Sequence, residues 1–75
     1  MDDTRTRLDD LRFMDQLISD CVQYIGILHD VVARLEREGR DQAEALALLA
    51  SFEGSRQQYT EKRGRLLNEL VGDRA

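Results

Sequence analysis

Proline is absent from all 75 residues, so no position is barred from helix by a missing N–H or a clashing ring. Tryptophan is absent as well, and aromatic residues make up only 5% of the chain. With 35% of residues charged, this composition suits long solvated helices and argues against a β-rich fold. A single cysteine excludes an internal disulfide, and one cysteine with one histidine is too few for a zinc site. No stretch approaches the ~18 apolar residues of a membrane span. No apolar segment of the kind a secretory leader carries follows the acidic start MDDTRTRLDD. A free thiol fits a reducing compartment. The expectation is a cytoplasmic protein with no membrane contact, no metal and no cofactor.

The net charge is −4, which weighs against general binding to nucleic acid or anionic membranes, since both need basic surface. The charge is uneven. Residues 1–39 hold nine acids and five arginines, whereas residues 40–75 hold six of each sign. An acidic first half beside a neutral second half suits two segments that pair with each other. A chain this short buries only ~60% of its unfolded surface, and with disulfide and metal excluded the remaining remedy is oligomerisation.

What the sequence does have is a long run of apolar residues at seven-residue spacing. Leu11, Ile18, Ile25 and Val32 hold one position, and Met14, Cys21, Leu28 and Leu35 hold the position three later. That is the a/d pattern of a helix that packs against other helices. Helix 1 is expected at about 4–38, started by Asp3 or Thr4 and ended by Gly39 in the left-handed conformation. The turn is 39–41. Asp41 then caps helix 2, at about 42–71, and Glu44 completes a capping-box spacing. Gly72 ends that helix, and 72–75 is expected to fray.

One unbroken helix is the rival arrangement, and phase argues against it. At 100° per residue, the apolar face of residues 8–35 centres at about 300°. That of Leu49, Phe52, Tyr59, Leu66, Leu67 and Leu70 centres at about 160° on the same count. A hairpin brings the two faces together. The expected fold is therefore all-α, a two-helix antiparallel hairpin forming a single domain over 1–75. The hairpin in turn is expected to dimerise into a four-helix bundle.

Dimerisation is expected because helix 1 is apolar over about 220° of its circumference, more than a single partner helix covers. Beside the seam lies a flanking stripe of Phe13, Leu17, Tyr24, Ile27 and Val31. These five are the candidate dimer or partner contacts. Helix 2 has a narrower stripe, interrupted at its centre by Arg56 and Arg63.

Other residues could carry chemistry. Arg56, Tyr59, Lys62, Arg63 and Arg65 form a candidate basic and aromatic patch for phosphate, nucleic acid or an acidic peptide. The competing reading is internal pairing, with Arg63 facing Asp15 or Gln16 and Arg56 facing Asp20 or Gln23 across the hairpin. His29 lacks an aligned nucleophile or acid, and reads as a boundary residue bonded to a carboxylate or water. Cys21, among Leu17, Ile18, Ile25 and Leu28, reads as a small core residue and not as a reactive thiol. Gly26, Gly54 and Gly64 each cost about 1 kcal/mol in a helix interior, which suggests close approach of a neighbour or a bend.

The stretch Val31-Val32-Ala33-Arg34-Leu35-Glu36-Arg37-Glu38-Gly39 resembles the end of the first helix in the small subunit of exodeoxyribonuclease VII. Phe52-Glu53-Gly54 falls about three residues late for that family's second helix. Leu8-Asp9-Asp10-Leu11-Arg12 is similar to the opening of helical chorismate mutases, but a third helix and its basic residues are missing. Neither resemblance assigns a family. The functional expectation is a non-enzymatic protein-interaction module, a small regulator, adaptor or subunit, acting as a homodimer. The alternative is a nucleic-acid-binding hairpin dimer that uses Arg56, Lys62, Arg63 and Arg65.

Overall fold

The computed structural model describes residues 3–72. Helix α1 runs Asp3–Arg37 and helix α2 runs Ala43–Gly72. They pack antiparallel as a hairpin. Asp3 and Thr4, the expected starting residues, are both already helical, and the expected fraying beyond Gly72 lies outside the described residues.

The turn is built by the residues that marked it in the sequence. Gly39 takes φ +67°, a conformation that only a residue without Cβ adopts cheaply. The Arg40 N–H donates to the Leu35 carbonyl at 2.9 Å and the Gly39 N–H to the Glu36 carbonyl at 3.1 Å. This pair of bonds is a Schellman motif, and it satisfies carbonyls that α1 would otherwise leave bare. Asp41 then accepts a bond from the Ala43 N–H at 3.0 Å. The Gln42 carbonyl accepts the first bond of α2, from Leu46, at 2.9 Å. Glu44 makes no bond back to Asp41, so the expected capping box is only half formed. Helix α2 starts one residue late for it.

All eight seam residues of α1 turn toward α2. Leu11, Met14 and Cys21 are buried, and Ile18, Ile25, Leu28, Val32 and Leu35 are half-buried. From α2 come Ala45 and Leu49, both buried, and Phe52, Tyr59, Leu66 and Leu70, all half-buried. This is a single layer of two helices. The Cα trace measures 57 × 14 × 13 Å, and its radius of gyration is 17.1 Å, against about 11 Å for a compact chain of this length. Because the layer has no second layer over it, no described side chain falls below 2% exposure.

The glycine expectation is corrected. A Cβ added at Gly26, Gly54 or Gly64 would meet nothing within 4 Å, so no neighbour in the hairpin requires these glycines.

Candidate interaction surface

The flanking stripe of α1 lies outside the hairpin core. Phe13 is 61% exposed, Tyr24 51% and Ile27 52%, while Leu17 and Val31 are half-buried. The reason is angular. The seam faces α2, and residues about 80–100° round the helix from it face neither α2 nor the back.

The structure adds α2 residues to this face. Leu17, Asp20, Tyr24, Phe52, Ser55 and Tyr59 line one groove, with buried Cys21 at its floor. The Tyr24 and Phe52 rings stand 5.2 Å apart at an angle of 31° across the two helices. Tyr24 is therefore partly engaged within the hairpin, which its stripe position alone did not reveal. Leu48 is 47% exposed and sits one turn before Phe52, extending the apolar surface along α2.

A second hollow lies farther along α1, lined by Ile27, Asp30, Val31, Arg34 and Arg37. Asp20 and Arg34 belong to the same stripe. Phe13, Leu17, Asp20, Tyr24, Ile27, Val31 and Arg34 alternate steps of four and three, a second helical seam beside the first. That spacing is readable in the sequence; the two charges within it hide the pattern from a scan for apolar residues. Asp20 is half-buried and accepts a hydrogen bond from Gln16 Nε2 at 3.0 Å. Neither Asp20 nor Arg34 has an ion-pair partner among the described residues.

The basic residues do not converge on one surface. Arg63 Nε donates to Asp15 Oδ1 at 2.5 Å across the hairpin, as internal pairing required. Arg56 is exposed and pairs with neither Asp20 nor Gln23, because Ser55 turns inward in its place. It shares a hollow with Glu53, Gln57, Thr60 and Glu61, and Thr60 Oγ1 donates to its carbonyl at 2.8 Å. Lys62 and Arg65 border a different hollow with Gln58, Tyr59 and Glu61. Arg56 and Arg65 are nine residues apart, about half a turn out of phase, and so point to opposite sides of α2. His29 is exposed and makes no hydrogen bond to another described residue.

Among the described residues there is no group of three His, Cys, Asp or Glu that could hold a metal, and no helix is long and apolar enough to cross a membrane. No protein-family model, curated protein or solved structure matches this chain.

Proposed function

We propose that this chain is a non-enzymatic interaction module, a small regulator, adaptor or subunit, that works as a homodimer. The dimer is a four-helix bundle made by two hairpins laid face to face. The observation that carries this reading is the exposed stripe of Phe13, Tyr24 and Ile27 alongside the groove over Phe52 and Tyr59. An apolar face with two charges set in it, on a hairpin with no fully buried side chain among its described residues, is surface that a second layer would cover. Covering it would also supply the burial that one hairpin of this length lacks.

The non-enzymatic reading rests on the described residues, among which no nucleophile, base and orienting group are held together. Cys21 is buried at the floor of a groove with no basic residue in its lining, and His29 stands on the exposed side. The nucleic-acid alternative loses support because Arg63 is held by Asp15 and Arg56 points away from Lys62 and Arg65. Sedimentation equilibrium at micromolar concentration tests the dimer. A species of twice 8.7 kDa is expected, and a stable monomer at that concentration overturns the reading.

A further inference from the structure

We propose that the second copy docks antiparallel along the α1 stripe, α1 against α1, with Asp20 of each copy seated beside Arg34 of the other. This rests on the homodimer reading and adds to it the orientation, the register and the two residues that set them.

Two charges without an ion-pair partner among the described residues stand in the stripe. Asp20 stands between Leu17 and Tyr24, and Arg34 follows Val31. They are fourteen residues apart, four helical turns, so they share a side of α1 but lie about 21 Å apart along it. They cannot meet within one molecule. A parallel copy would set Asp20 against Asp20 and Arg34 against Arg34. An antiparallel copy can bring each within one turn of the other, and does so twice by symmetry.

Shape selects the same register. In helix packing a side chain enters a hole formed by residues i, i+3, i+4 and i+7 of the facing helix. Ile27, Asp30, Val31 and Arg34 have that spacing, and they line the hollow on the outer side of α1, with Arg37 at its edge. Leu17, Asp20, Cys21 and Tyr24 have it too, and they form the α1 wall of the groove. If Asp20 enters the partner's first hole, antiparallel symmetry places Val31 in the partner's second. The same register sets Tyr24 opposite the partner's Ile27 and Leu17 opposite the partner's Arg34. Asp20 then meets two arginines, Arg34 and Arg37, and one acid, Asp30. The balance favours a carboxylate.

The limits of the stripe agree. N-terminal to Phe13 its positions are Thr6, Asp9 and Asp10, all exposed and polar. In this register Phe13 lies opposite the partner's Glu38, just past the end of its α1, so the α1–α1 overlap runs from Leu17 to Arg34 and the first turns of α1 lie beyond it.

Charge reversal tests the arrangement. Asp20→Arg and Arg34→Glu are each expected to raise the dimer dissociation constant about tenfold or more, because each brings like charges together. The Asp20→Arg/Arg34→Glu double variant is expected to return close to the original value. Both positions are on the hairpin's outer side, and circular dichroism of each variant checks that the helices remain. Rescue cannot come from helix stability, since the double variant carries both local changes. A wild-type dimer whose singles bind unchanged, or whose double variant is weaker than either single, overturns the register and leaves the homodimer standing. A wild-type monomer leaves the stripe to a different helix and overturns both.

Discussion

Arg63 occupies a seam position of α2, one turn from Tyr59 on one side and Leu66 on the other, where an aliphatic side chain would extend the packing. Its guanidinium reaches Asp15, but the two side chains are 40% and 56% exposed. An ion pair so open to water contributes about 0–1 kcal/mol, because solvent screens it and two long side chains lose freedom to hold it. Arg63→Leu is therefore expected to leave the thermal midpoint unchanged or raise it, as added apolar burial offsets the lost pair. Thermal denaturation followed by circular dichroism measures this. A large drop in the midpoint would mean that Arg63 anchors more than Asp15. The pairing was legible in the sequence because an antiparallel turn at Gly39 fixes which residues face each other. The exposure of Arg56 was not legible. On the helical count Arg56 lies as near the α2 face as Ser55 does, so residue spacing alone did not mark which of the two would turn inward.

The two helices differ in how their residues constrain them, and one substitution shows it with opposite signs. Gly39 has φ +67° with open space where a Cβ would be, so Gly39→Ala meets only the backbone penalty of a left-handed alanine, about 1 kcal/mol. Gly54 lies inside α2 on the exposed side, also with open space, so Gly54→Ala there gains about 1 kcal/mol of helix propensity. Urea denaturation should move the midpoint down for the first and up for the second, with little change in slope. A loss at Gly54 would show that something outside the hairpin packs against it. At this scale most of the fold could be read from the chain. The seam from Leu11 to Leu35 follows from helical geometry, and the turn follows from the rarity of residues that tolerate positive φ. The missing half of the capping box could not be read, because Asp41 and Glu44 have the right spacing but α2 begins at Ala43.

Over the whole molecule the question is which apolar residues hold the hairpin and which hold the assembly. Ile25 lies half-buried in the seam between α1 and α2, and Ile25→Asp sets a charge among the apolar seam residues, so loss of helicity is expected. Phe13 is 61% exposed and adds little to one hairpin, so Phe13→Asp should keep the helices and lose the dimer. Tyr24→Asp belongs between them, since its ring both faces outward and packs on Phe52. Folding coupled to association makes the distinction measurable. The thermal midpoint of a dimer rises with protein concentration, because mass action favours the bound state. The midpoint of the unmodified protein should therefore climb across a concentration series, and that of Phe13→Asp should stay flat at a lower value. A flat series for the unmodified protein, or equal unfolding by all three substitutions, would show that the inner seam and the outer stripe do not act as separate surfaces.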